Sequence, residues 1–164
     1  MNSLSPFRIG FLLIDGFALM SYASTIEPLR AANLLYSQNV ENSVSKLVYE
    51  LIHISISGKE AFSSSGAQIN CETTVEKNVE LDILFVIAGD DPFLFKNSKV
   101  FTWLRELAQR DIIIGGISGG PIILIAAGLM EGRRMTVHWE HASKLTIQST
   151  NITLLNTLYV IDQN

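Results

Sequence analysis

The sequence predicts an α/β domain in which a doubly wound, mostly parallel sheet carries helices on both faces. Three observations lead there. Short apolar runs such as Phe7–Asp15 and Leu81–Ala88 have the length and continuity of strands buried on both sides. Between them lie segments whose apolar residues recur every three or four positions, the stripe of a helix resting on a core. Glycine-containing turns mark the change from one to the other, and strands alternating with helices require parallel crossovers. The 164 residues suit a single domain, with no repeat, linker or low-complexity tail.

Taken in order, Phe7, Ile9 and the run Phe11–Ile14 form the first strand, ended by Asp15–Gly16. Tyr22, Ile26, Leu29, Ala32 and Tyr36 follow at steps of four, three, three and four, so a helix runs to about Gln38–Asn39. Val48–Ser55 is a second strand, and the Ser/Gly-rich stretch from Gly58 to Gly66 with the alternating Gln68–Thr74 reads as part of a hairpin. Leu81–Ala88 is closed by the turn Gly89–Asp90–Asp91–Pro92. Phe101, Leu104, Leu107 and Ala108 mark an amphipathic helix, and Asp111–Ile117 returns to strand. Pro121–Ala127, apolar on every side, is a buried helix capped by Gly128 and Leu129. Phe7–Asp15, Leu81–Ala88 and Asp111–Ile117 are expected side by side and parallel. Met135–His138 and Leu158–Ile161 read as late strands, with a helical segment from Glu140 to Ser149 between them. Doubly wound domains usually place a helix after the last strand, so a stop at Asn164 predicts a piece of a longer product, lacking its last strand and helix.

Composition excludes several classes. The 48% apolar content falls in short runs, so no segment is long enough to span a bilayer as a helix. The early run Ile9–Ile14 is too short, and too near the end, for a secretory signal, which predicts a cytoplasmic protein. Cys71 is the only cysteine, and no Cys/His cluster has zinc spacing, so neither metal nor cofactor is expected. The formal charge of −4, with Arg133–Arg134 the only basic pair, gives no electrostatic source for DNA binding by these residues alone. Cys71 reads as a small buried hydrophobe, His53 as a packed or edge residue of a strand, and Asp90–Asp91 as a solvated turn.

One motif carries chemistry. Gly116–Ile117–Ser118–Gly119–Gly120 matches G-x-S-x-G between a buried strand and a helix, the context in which that pattern forms a sharp elbow. Glycines relieve the clash at such a turn, and Ser118 then projects from the carboxyl edge of the sheet. A serine hydroxyl is a weak nucleophile until a positioned base activates it, and His138 in Thr136–Val137–His138–Trp139 is the candidate base. No Asp lies between Ser118 and His138; Glu131 sits in a turn and Glu140 lies beyond Trp139, so the sequence shows no orienting acid. Glu27 on the first helix faces either a pocket or a surface ion pair, and the residues alone leave both open.

The strand, the Ser118 elbow, the glycine cap and T-V-H-W, in that order, make the chain resemble the ThiJ/PfpI superfamily. The stretch Gly115–His141 and the segment Phe17–Asn33, with E-P-L-R-A-A-N, are especially similar to the amino-terminal domain of AraC-type transcription regulators. The resemblance implies the three-layer, flavodoxin-like fold of class I glutamine amidotransferases, a helix-turn-helix domain beyond residue 164, and a homodimer. In that superfamily the elbow usually holds a cysteine and a loop acid contacts it; here Ser118 and Ser21 occupy those places, while the histidine of T-x-H is matched by His138.

These departures favour a module that binds a small-molecule effector without turnover, reaching DNA only through the further domain. The expected ligand-binding residues are Ser21, Glu27, Gly89, Asp90, Ser118, Gly119 and His138. The alternative is a ThiJ/PfpI-type hydrolase or lyase using Ser118 and His138; a chaperone- or protease-like member is a third class.

Overall fold

The computed structural model describes residues 5–39, 47–110, 112–148 and 151–162. Its centre is a five-stranded, wholly parallel sheet made of β1 (Phe7–Leu13), β2 (Tyr49–Ser55), β5 (Thr73–Thr74), β6 (Ile83–Ala88) and β7 (Ile113–Ser118), in the order β5-β2-β1-β6-β7. The expected neighbours β1, β6 and β7 are adjacent and parallel. Asp111, assigned from sequence to the third of them, lies outside the described residues. A short antiparallel hairpin, β3 (Glu60–Phe62) and β4 (Gln68–Asn70), fills the predicted Ser/Gly-rich region.

Alternation along the strands assigns the two layers. Ile9, Phe11 and Leu13 of β1 face α1 (Leu19–Asn39), meeting Leu19, Tyr22, Ile26 and Leu29. Leu12, Leu84 and Val86 face the other way, onto Val100, Trp103, Leu104 and Leu107 of α2 (Ser98–Ala108) and Ile123 and Leu124 of α3 (Gly120–Ala126). Helix α2 begins where the Asn97 side chain accepts from the Val100 N–H (3.2 Å), an N-cap of a kind that contributes about 1 kcal/mol. Helix α3 ends in a Schellman motif, with Leu129 N–H donating to Leu124 O (3.0 Å), Gly128 N–H to Ile125 O (2.8 Å), and Gly128 at φ +79°.

From β1 the chain crosses to β2 on one side, and it later returns to β6 on the other. The carboxyl ends of β1 and β6 therefore flank the point where strand order reverses, the crevice in which open α/β sheets hold ligands.

Two late elements differ from expectation. The strand placed at Met135–His138 is only β8 (Arg134–Met135), and its partner is β9 (Thr153–Leu154), not Leu158–Ile161. Leu158 and Ile161 are exposed and form no ladder. An apolar run becomes a strand only where a neighbouring edge accepts its backbone, and here the pairing ends after two residues. Past Leu155, whose N–H still donates to Met135 O (2.8 Å), the chain is held through side chains: Thr136 Oγ1 donates to Thr157 O (2.7 Å), and the Asp162 carboxylate accepts from the Arg134 N–H (2.5 Å) and guanidinium (3.4 Å). The helix between is α4 (Trp139–Gln148), close to its expected bounds, with Ser149 outside the described residues.

Two glycine substitutions separate close packing from backbone conformation. A Cβ on Gly120 would run into the Val86 carbonyl oxygen, so Gly120→Ala should lower stability by about 3 kcal/mol. Gly128 has open space but a positive φ, so Gly128→Ala should lose only about 1 kcal/mol. Urea denaturation midpoints at constant m-value will show whether that order holds.

Candidate functional site

Three loops meet at the carboxyl edge of the sheet. The loop after β1 and the loop after β6 touch backbone to backbone, since a Cβ on Gly89 would strike Gly16 O and come within 2.8 Å of Ala18 N. Ile14 N–H donates to Ile87 O (3.0 Å), carrying the β1–β6 pairing up to this junction. Beside it stands the Ser118 elbow, at the last residue of β7 and in register with Ala88.

The elbow has the geometry its glycines predict. Ser118 lies at φ +56°, a left-handed conformation that is uncommon for a residue with a side chain and is characteristic of strained functional turns. Asp90, on the neighbouring loop, is also left-handed at φ +42°. The Gly119 N–H donates to Ala88 O (3.1 Å) and ties the turn to β6. In a serine hydrolase elbow that N–H, following the nucleophile, stabilises the oxyanion; here a backbone carbonyl already occupies it.

The candidate base has polar and aromatic partners of its own. Among the described residues no hydrogen bond reaches the Ser118 hydroxyl. His138 is exposed in the segment leading into α4 and pairs through Nδ1 with Glu140 (3.4 Å), while its ring lies 5.4 Å from Trp139 and 6.0 Å from His141. His138 thus has an acid partner that sequence spacing did not reveal, because the turn into α4 brings residue 140 back onto residue 138.

The remaining expected residues are spread along α1. Ser21 is half-buried in the first turns, its carbonyl accepting from Thr25 Oγ1 (2.7 Å). Glu27 is exposed and accepts from Arg30 Nε (2.7 Å), the surface ion pair that the sequence left open.

Sequence reasoning missed the wall beside the elbow. Asp91 caps a 3-10 turn, Pro92–Leu94, by accepting from the Phe93 N–H (3.2 Å), and Pro92 packs against Gly119. Lys144 of α4 binds both oxygens of Asp91 (3.1 and 2.9 Å) and sits 4.4 Å from the Phe93 ring centroid. His141 meets the same ring edge-on at 6.0 Å. Lys144 holds the Asp91 carboxyl below the usual carboxylate range; burial, reinforced by the His138 charge, lowers the His141 pKa. The signal in the sequence was His141, three positions after His138 at the point where the helical segment begins.

Elsewhere, Tyr22 O–H meets His53 Nε2 (2.8 Å), His53 Nδ1 meets Glu72 Oε1 (3.2 Å), and the His53 backbone N–H donates to Glu72 Oε2 (2.6 Å). A carboxylate only accepts, so Nδ1 carries the proton and Nε2 accepts from tyrosine. Cys71 is buried beneath this group, and burial with the nearby Glu72 charge pushes its thiol up to about 11, so it is an inert core residue. A surface hollow of about 450 Å³ opens at the amino-terminal ends of β1 and β2, away from the elbow; there Arg8 is already paired with Glu50 (3.0 Å) and Glu80 (3.7 Å). Among the described residues no cluster of His, Cys, Asp and Glu could hold a metal ion, and no helix is long and apolar enough to cross a membrane.

Residues 7–164 match the model of the DJ-1/PfpI family. The chain belongs to that family. It is 39% identical over 156 residues to the HTH-type transcriptional regulator GlxA of Rhizobium meliloti, covering 94% of this chain and 46% of that protein. It is 32% identical over 152 residues to the HTH-type transcriptional regulator CdhR of Pseudomonas aeruginosa, covering 93% and 43%. The chain therefore spans less than half the length of these curated relatives. The crystal structure of an AraC family transcriptional regulator from Pseudomonas putida superposes with a TM-score of 0.78 at 22% identity, covering 96% of this chain and 80% of that one, which shows the shared fold.

The lowered pKa of His141 has a definite sign. Its folded form favours the neutral ring, whereas the unfolded chain takes up a proton near pH 6.5, so the associated stability is present at neutral pH and is lost as pH falls from about 6.5 toward the lower folded value. His141→Gln should flatten the decline in melting temperature below about pH 6.5; an unchanged pH profile would contradict the assignment.

Proposed function

We propose that this domain is the effector-sensing module of a helix-turn-helix transcription regulator of the AraC type, binding a small metabolite in the crevice at the Ser118 elbow without turning it over. The observation that carries this reading is the occupied Gly119 N–H: the elbow keeps its shape while its oxyanion donor is held by Ala88 O. A serine hydroxyl in place of the family's usual cysteine removes the easily ionised nucleophile as well. The regulators GlxA and CdhR among the relatives support the wider assignment. The crevice would be lined by Gly89, Asp90, Ser118 and Gly119, with Ser21 and His138 as further expected contacts.

DNA would be reached through a separate helix-turn-helix domain of a cytoplasmic protein, as in the regulators among its relatives. A homodimer is supported by α1, which has no fully buried residue and exposes Met20, Leu34 and Leu35 on its outer side. The alternative, a hydrolase or lyase using Ser118 and His138, draws support from the His138–Glu140 pair.

Two measurements decide between them. In a thermal-shift screen of amino acids, quaternary amines and related metabolites, a true effector at a hundred times its dissociation constant should add about 2.7 kcal/mol. A screen in which Ser118→Trp does not abolish the shift would move the binding site elsewhere. A fluorophosphonate probe should leave Ser118 unlabelled; labelling that disappears in His138→Ala would establish the enzyme instead.

A further inference from the structure

A hydrogen-bonded series of three side chains connects an exposed carboxylate to the loop that follows β1. Glu72 is 59% exposed, whereas the His53 side chain that it holds is only 16% exposed. Glu72 offers one oxygen to the His53 backbone N–H (2.6 Å) and the other to Nδ1 (3.2 Å), and Nε2 meets the Tyr22 hydroxyl (2.8 Å). The imidazole is stacked on Phe11 (5.9 Å between centroids), and the Tyr22 ring stands edge-on to both Phe11 (6.4 Å) and Phe17 (5.8 Å). Phe17 is fully buried, its carbonyl accepts from the Ser64 N–H (2.9 Å), and its backbone lies so close to Gly89 that a Cβ there would come within 3.1 Å of it. Each link is a direct contact, so the position of Tyr22 bears on the junction of the β1 and β6 loops and on Ser21, the residue before it in α1.

We propose that Glu72 is a positioning residue for the crevice: by holding the proton of His53 on Nδ1 it keeps Nε2 an acceptor for the Tyr22 hydroxyl, and Tyr22 in turn holds the loop 16–18 against Gly89. This rests on the reading of the crevice as the effector site and adds to it a remote residue that sets the shape of that site. The two donors at Glu72 are the reason that a carboxylate is needed. A carboxylate presents two acceptor oxygens, one for each N–H, whereas an amide presents one acceptor and one donor. With an amide oxygen on the His53 backbone N–H, its NH2 faces Nδ1, and the neutral ring must place its proton on Nε2, opposite the tyrosine O–H. Two donors then meet where donor and acceptor stood, and the half-buried hydroxyl loses its acceptor. Glutamate and glutamine have nearly the same shape, so this effect belongs to hydrogen-bond polarity and not to packing.

Two readouts test this relay in the full chain without any effector. In long-range proton–nitrogen NMR spectra at about pH 8.5, where an ordinary imidazole is neutral, His53 should carry its proton on Nδ1, and Glu72→Gln should move it to Nε2. The same substitution should speed amide exchange about three- to tenfold, the range of one net hydrogen bond, at Gly16, Tyr22 and Ser64, which donate to Phe62 O, Ala18 O and Phe17 O. Leu84 and Val86, which face α2 and α3, should keep their rates. Tyr22→Phe keeps the ring contacts and removes the hydroxyl; it should speed the same three amides, and combining it with Glu72→Gln should add nothing further. A proton on Nε2 in the unmodified protein, or one that stays on Nδ1 in Glu72→Gln, would overturn the relay. So would unchanged exchange in Glu72→Gln, additive effects in the double variant, or equal acceleration at Leu84 and Val86, which marks general loosening. Because neither readout uses a ligand, a failed effector screen and a failed relay are separate results.

Discussion

Helix α3 lies so close to β6 that the Val86 carbonyl leaves no room for a side chain at Gly120, and the site takes its form from that contact. To leave β7 and enter a helix pressed onto the neighbouring strand, the chain must turn within one residue. Ser118 takes the left-handed conformation that makes this possible, and the Gly119 N–H closes onto Ala88 O. The same closeness buries Ile122, Ile123 and Leu124 against the sheet, so the strained residue is held by the core behind it. A helix of seven residues could not sustain that position by its own hydrogen bonds; packing does.

The polar groups around this core divide by face. On the α1 side, tyrosine, histidine and glutamate are linked in a chain that satisfies a half-buried imidazole and fastens the first helix to β2 and the segment beyond it. On the α3 side the charged groups stand at the rim, where Lys144, Asp91, His138 and Glu140 pair in solvent. Pairs of the second kind contribute little to overall stability, but they set which surface elements stay together. These exposed rim pairs are therefore open to screening by salt.

Much of the architecture was legible in local pattern. The runs around Ile9–Leu13 and Leu84–Ala88 read as buried strands because both faces are covered, and the stripe from Tyr22 to Tyr36 has helical spacing. The elbow was legible for a different reason: a backbone turn this tight admits glycine at the positions where strands and helix touch. The late strands were misread because Val137 or Ile161 has the same apolar character whether or not an edge is there to receive its backbone.

By itself, then, the sequence determined the parallel sheet, the order of its central elements and the elbow at Ser118, since periodicity and glycine placement are local consequences of how a chain buries apolar surface and turns. Only the tertiary structure decided that Gly119 donates to Ala88, that His138 pairs with Glu140, and that Lys144 reaches across fifty-three positions to Asp91. Those partners are chosen by where the loops come to rest once the layers have packed, and nothing in the residue types or their spacing along the chain carries that distance.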